Sequence, residues 1–308
     1  MHHFSLPRRA RMPGRALAAA GAAGLLLSGC ASSASPASDG ASDLRDRVPK
    51  DVRKAGVLRI GSYLNYAPVE FKEADGRPAG LDPDLAAAIG RLLGLRVEFT
   101  DMPFERLIPA VEAGDIDLAM SAVIDTTDRQ NGVDDRGRTS GPGVDFVDYF
   151  FTSTSILVKA GNPAGISGLD SLCGHVVAVQ RGTVQAEIAT RQAGACSRYD
   201  KKLDVHLLAT DELALAEVAD GTAVADLNDY PVAQYNTSAA RGGRFALTGE
   251  HIQSSPYAIT VNKADTELRT AIAKALDRLI RNGEYDRILE KWGLHTGAVS
   301  SAVVNGGR

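Results

Sequence analysis

The chain has 308 residues, 44% hydrophobic and 6% aromatic, with 34 Lys+Arg against 38 Asp+Glu and three cysteines. That length is comfortable for two lobes and long for one core. No basic stripe stands out along it, which argues against a nucleic-acid partner.

Residues 1–29 read as an export signal. Arg8, Arg9, Arg11 and Arg15 give a basic start without acids, and the apolar run Ala16–Leu27 is short for a membrane span. The run ends in Leu27-Ser28-Gly29-Cys30, which resembles a bacterial lipobox, so lipidation at Cys30 is expected. An ordinary signal peptide with a coincidental cysteine is the alternative, and Arg8-Arg9 leaves both the general and the twin-arginine export route open. Without residues 1–29, 30 Lys+Arg face 38 Asp+Glu, a net charge of −8. The stretch 30–47, Ser/Ala-rich at first, is expected to be a flexible tether.

From there strand-like and helix-like stretches alternate, which points to α/β layers. Val57–Gly61 reads as the first strand, followed by a loop carrying Tyr63, Tyr66 and Phe71. Asp82 is expected to cap a helix with Pro83 in its first position, Leu85, Ile89 and Leu92 on one face, and Gly94 as its stop. Val97–Phe99 is a second strand, and Phe104–Ala113 a helix that Pro109 must delay or kink.

The stretch Gly114–Gln130 changes character halfway. Ile116, Leu118 and Met120 suggest a buried strand; Asp125, Thr126, Thr127 and Asp128 then suit a helix start, with Arg129 in the first turn. Unpaired backbone N–H groups beside a guanidinium describe a receptor for a small carboxylate. A surface loop in which Arg129 pairs with Asp125 or Asp128 is the plainer alternative.

Further strands are expected at Ile156–Lys159, Val176–Val179, Val205–Leu208, Val224–Leu227 and Tyr257–Val261. Thr266–Arg281 and the Tyr285–Trp292 segment read as amphipathic helices, with Trp292 in the core. The tail 296–308 is expected to be disordered. Cys173 and Cys196 are expected to pair in an exported protein, two separate buried thiols being the alternative.

Several motifs in this order resemble family 3 of the bacterial extracellular solute-binding proteins. They are YAPVEF (Tyr66–Phe71), GLDPDLAAAIGRLLG (Gly80–Gly94), LIPAVEAGDIDLAMSA (Leu107–Ala122) and TTDRQ (Thr126–Gln130), then VDFVDYF, VAVQRGT, LNDYPVA and NGEYDRILEKWGL, the last ending at Leu294. The loop 131–143 looks like an insertion relative to that pattern.

The resemblance implies a two-lobed, type II periplasmic-binding-protein-like α/β fold with hinge crossings. Lobe 1 would comprise 48–151 plus 256–295, and lobe 2 would comprise 152–255. It implies a monomeric receptor that delivers an amino acid to an ABC-importer permease, anchored to the membrane through its lipid, with no cofactor or metal. Position by position, Arg129 would clamp the ligand's α-carboxylate, helped by backbone near Thr183, and Asp229 would receive the α-ammonium. Tyr66 and Phe104 would sandwich the ligand, while Ser121, Ala122 and Ile124 line the floor.

Two departures bear on the ligand. Tyr63 stands where basic-amino-acid receptors carry an acid, and Ile124 where a hydroxyl is common. With Arg181, Arg136 or Arg138 nearby, these favour a neutral polar or acidic amino acid over Lys, Arg or His. Two other classes compete: a same-fold, dehydratase-like enzyme and an extracellular sensor acting with a separate signalling partner. Against the enzyme, His175, His206, His251 and His295 are scattered without a Ser or Cys partner in sequence.

Overall fold

The computed structural model describes residues 41–134 and 137–308. The expected signal peptide, Cys30, the expected tether up to residue 40 and Arg136 lie outside the described residues. The last part of the expected tether is ordered: α1 (Ala41–Asp46) is a helix, followed by α2 (Lys50–Ala55). Leu44 and Val48 are the reason, since both are buried in the main core.

The chain continues through β1 (Val57–Ser62), β2 (Asn65–Tyr66), β3 (Glu70–Lys72), β4 (Pro78–Ala79), α3 (Leu81–Leu93) and β5 (Arg96–Asp101). After a 3₁₀ turn at Phe104–Arg106 come α4 (Leu107–Ala113), β6 (Leu118–Ala119), α5 (Thr127–Gln130) and β7 (Val144–Lys159). The 3₁₀ turn puts Pro109 inside the first turn of α4, where its missing N–H leaves no bond unmade.

The second stretch runs β8 (Val176–Gln180), α6 (Val184–Ser197), β9 (Asp204–Leu208), α7 (Asp211–Asp220), β10 (Ala225–Asp229), α8 (Tyr230–Asn236) and β11 (Phe245–Asn262). Then α9 (Thr266–Arg281), α10 (Glu284–Trp292) and β12 (Ala298–Val304) close the chain. Trp292 packs against the core, edge-on to Phe71, and its indole N–H donates to Asp84.

The larger sheet has the strand order β5-β1-β6-β11-β7-β10-β8-β9, with β12 also pairing β7. β7 and β11 run antiparallel along most of their length and link two halves. One half holds β1, β5 and β6 with α3, α4, α9 and α10; the other holds β8, β9 and β10 with α6 to α8. β7 is buried almost throughout, as expected of a strand covered on both faces. Cys173 and Cys196 form a disulfide that ties the segment before β8 to the end of α6.

Two sequence expectations need correction. Gly80, not Asp82, caps α3, because Asp82 is wholly buried and its carboxylate is used elsewhere. The tail is not disordered: β12 pairs Ala298, Val303 and Val304 with β7, and Asn305 bonds Asp145 and Phe146. Its alternating small and β-branched residues supply strand pairing where no helical pattern exists.

The loop 131–143 closes as a short hairpin through a Val133–Thr139 bridge, and Arg138 forms an ion pair with Asp134. Gly132 (φ +66°) and Gly143 (φ +81°) are needed where it closes: a Cβ would lie 2.1 Å from the Gly141 carbonyl oxygen and the Gln130 carbonyl oxygen, respectively.

Candidate functional site

The C-terminal ends of strands from both halves meet at one cleft, the position at which α/β sheets take ligands. From the first half, β1 delivers Tyr63, β6 delivers Ser121, Ala122 and Ile124, and the 3₁₀ turn delivers Phe104. From the second, β8 leads into Thr183 and β10 ends in Asp229. All nine residues singled out from the sequence (Tyr63, Tyr66, Phe104, Ser121, Ala122, Ile124, Arg129, Thr183 and Asp229) line this cavity. Glu70, Gln180, Val184 and Gln185 line it too and were not anticipated.

The floor is a chain of hydrogen bonds. Ser121 Oγ accepts from the Tyr63 N–H at 2.9 Å and donates to Glu70 Oε1 at 2.9 Å. Ala122 sits at φ +50°, unusual for a residue with a side chain. Its N–H donates to Asp82 Oδ2 at 3.1 Å, and the Tyr149 hydroxyl donates to Asp82 Oδ1. Asp82 is thus the clamp that holds this turn. Burial raises its carboxyl to about 7, and burial beside Asp82 pushes Glu70 well above the usual carboxylate range.

Arg129 is fixed from both sides. Thr126 caps α5 by accepting the Arg129 N–H at 3.2 Å. The guanidinium lies 5.9 Å from the Phe104 ring centroid, donates to the Ile124 carbonyl at 2.7 Å, and crosses to the Gly182 carbonyl at 2.9 Å. Two of its five N–H groups are used in those bonds, so donors remain for an anion. Its guanidinium bonds go to those two carbonyls and not to Asp125, which accepts from Gln130 and from the Gly307 N–H, or to Asp128. Burial lowers its pKa, opposed by the carboxylates of Glu187, Asp229 and Asp125.

Thr183 caps α6, its Oγ1 accepting from the Ala186 N–H at 3.1 Å and donating to the Gln180 carbonyl at 2.8 Å. The first turn of α6 therefore faces the cavity with Val184 and Gln185.

Asp229 is 3% exposed. Gln185 Nε2 donates to its Oδ1 at 2.9 Å, and the Tyr66 hydroxyl, from the other half, lies 3.0 Å from Oδ2 and 2.6 Å from Asn228 Oδ1. Burial raises Asp229 to about 7, held down from higher values by Tyr66, Tyr257, Gln185 and the charge of Arg129. Behind it, Asn228 Nδ2 donates to the buried Asp211 (2.7 Å) and Asp226 (2.9 Å).

Two arginines expected near the ligand are elsewhere. Arg181 donates to the Leu207 carbonyl and Arg138 pairs with Asp134, and neither lines the cavity. Gln185 had one signal available in the sequence, its place two residues after the capping Thr183. Glu70 had none, because a lone acid in Val-Glu-Phe reads as a solvent-facing strand position.

A two-part α/β body with a lined cleft where two long strands cross between the parts is the architecture of a solute-binding protein. The chain belongs to the bacterial extracellular solute-binding proteins, family 3, which it matches over residues 58–295. It is 27% identical over 265 residues to the arginine-binding protein ArgT of Corynebacterium glutamicum, covering 85% of this chain and 83% of that one. It is 28% identical over 241 residues to the lysine/arginine/ornithine-binding periplasmic protein of Escherichia coli, covering 76% and 86%. Among solved structures, an ancestral arginine-binding protein bound to arginine superposes with a TM-score of 0.69 at 32% identity, covering 77% of this chain and 98% of that one. An ancestral amino acid-binding protein described as a precursor of cyclohexadienyl dehydratase superposes at 0.68 with 30% identity, covering 79% and 97%. The fold is accordingly the two-lobed one of these amino-acid-binding proteins.

Proposed function

We propose that this protein is the substrate receptor of an ABC importer, closing its two lobes on an α-amino acid and presenting it to a membrane permease. The observation that carries the reading is the pairing of one guanidinium and one carboxylate on one cavity, Arg129 from the first half and Asp229 from the second. An α-carboxylate would take the remaining N–H groups of Arg129, and an α-ammonium would take Asp229, so only a zwitterion satisfies both. Because the two anchors belong to different lobes, a ligand that binds both favours the closed arrangement.

The side chain that fits best is uncharged. An acidic one would meet Glu70 and Asp229 with Arg129 committed to the α-carboxylate, and neither Arg181 nor Arg138 lines the cavity to offset it. The competing reading is a basic side chain. The cavity wall carries two carboxyl groups, Glu70 and Asp229, as partners for a cation, and the relatives above are named for arginine, lysine or ornithine. Cys30 is proposed as the lipid anchor of a monomeric receptor. A dehydratase-like activity is the lesser reading, because the buried acids of the cleft are engaged with Ser121, Ala122, Tyr149 and Gln185 rather than poised against a nucleophile.

Thermal-shift measurement across the proteinogenic amino acids tests the reading, since a ligand at a hundredfold its Kd stabilises by about 2.7 kcal/mol. At least one amino acid should raise Tm in the parent chain and fail to do so in Arg129→Ala. A panel in which none shifts Tm would remove the proposal.

A further inference from the structure

Three cross-cleft contacts surround the cavity. Arg129 reaches the Gly182 carbonyl, Tyr66 reaches Asn228 and Asp229, and the Tyr63 hydroxyl donates to Glu212 Oε2 at 2.5 Å. The first two corners hold the groups assigned above to the ligand's carboxylate and ammonium. The third has no part in gripping the head group, and its Tyr63 ring lines the same cavity, which leaves it free to meet the ligand's side chain.

That corner is built to stay shut. Tyr63 is 6% exposed, its N–H is held by Ser121 Oγ, and the next N–H, of Leu64, is held by Asp101 Oδ1 at 3.1 Å. The backbone that carries the ring therefore cannot slide away without breaking two bonds. On the opposite side Glu212 lies in the first turn of α7, whose cap Thr210 accepts the Leu213 N–H at 3.3 Å. A phenol donating to a carboxylate is a charge-assisted bond, stronger than a neutral pair. Burial and the Glu212 charge both keep the Tyr63 proton in place.

We propose that Tyr63 and Glu212 form a gate that limits the length of the ligand's side chain. This rests on the assignment of Arg129 and Asp229 to the amino-acid head group. A short side chain fits in front of the pinned ring. A longer one must part the phenol from the carboxylate and swing the ring out, losing a cross-lobe bond that supports closure. The gate sets specificity by exclusion.

The test is a homologous series of straight-chain amino acids: alanine, 2-aminobutyrate, norvaline and norleucine, measured by calorimetry. In the parent chain affinity should peak within the series and then fall by about tenfold or more for one further methylene. Tyr63→Ala should move the peak at least one methylene longer. Glu212→Ala, a change at an exposed helical position that leaves the core intact, should raise the affinity of the longest member relative to the shortest by about tenfold or more, within the range one methylene contact is worth. An unchanged peak and unchanged ratio in Glu212→Ala would overturn the gate, whether or not Tyr63→Ala folds. Failure of every member to bind a parent chain whose Tm another α-amino acid still raises would overturn the gate and leave the receptor reading standing; the receptor reading falls only if the full amino-acid panel is also silent.

Discussion

Arg129 of the first half donates across the cleft to the Gly182 carbonyl, 2.9 Å away, at the turn that launches α6 in the second. A single side chain thus touches both walls and still has donors left for an anion.

From this follows the first prediction. Arg129→Ala should weaken amino-acid binding by about a hundredfold or more, the range for removing one partner of a desolvated charge pair. It should also abolish ligand-induced compaction in solution scattering. Compaction equal to that of the parent chain would show that closure does not run through this guanidinium.

The second concerns pH and ligand. Burial raises Asp229 to about 7, so below that pH the group is increasingly protonated and cannot accept an ammonium charge. Affinity should decline as pH falls below about 7, approaching tenfold per unit for a single titrating group. Asp229→Asn should bind weakly with a flat profile between pH 5 and 8. Calorimetry in buffers of that range decides it.

Stability should show its own pH dependence. Asp148 is raised to about 8 by burial and by Asp125, against an ordinary value of 3.8. Between those values the folded state keeps a proton that the unfolded chain has released, so stability falls as pH rises through this window. Asp148→Asn should make that part of the Tm-against-pH curve shallower, leaving the share that Asp82 and Asp229, also raised by burial, contribute. A parent-like slope in the variant would contradict the account.

Replacing both Cys173 and Cys196 by Ala should destabilise the protein by about 3 kcal/mol, the chain-entropy value for a loop of this size. Denaturant unfolding extrapolated to zero denaturant is the measurement, with a steeper slope expected once the unfolded chain is freed, and a loss below about 1 kcal/mol would mean that the bridge constrains little.

The places of Arg129 and Asp229 on the cavity wall were legible in the sequence because Arg129 falls in the first turn of α5, the helix that follows β6, and Asp229 ends β10 and caps α8, positions at which α/β folds bring side chains to a cleft. The α9 periodicity was equally legible: Leu268, Ile272, Leu276 and Leu279 are all buried. What stayed hidden depends on tertiary approach. Asp82 reads as a cap because its neighbours suit a helix start, yet it is pulled inward by Ala122 and Tyr149, forty and sixty-seven positions away. Glu212 looks like an ordinary first-turn acid, and only the meeting of the two halves gives it Tyr63. Leu44 and β12 were missed for a similar reason, since short terminal segments gain their order from the surface they land on.

The path of β7 and β11 has a consequence for how the molecule is made. The elements β8 to β10 and α6 to α8 are contiguous in the chain, so that half can assemble as soon as it has been synthesised. The other half cannot. Its sheet needs the far end of β11, its helical layer needs α9 and α10, and the edge of β7 at Val147–Phe150 is sealed by β12, which is synthesised after every other described strand. Half of the cleft is therefore begun first and finished last, and until its closing strand arrives, β7 presents an open sheet edge that a second chain could pair with.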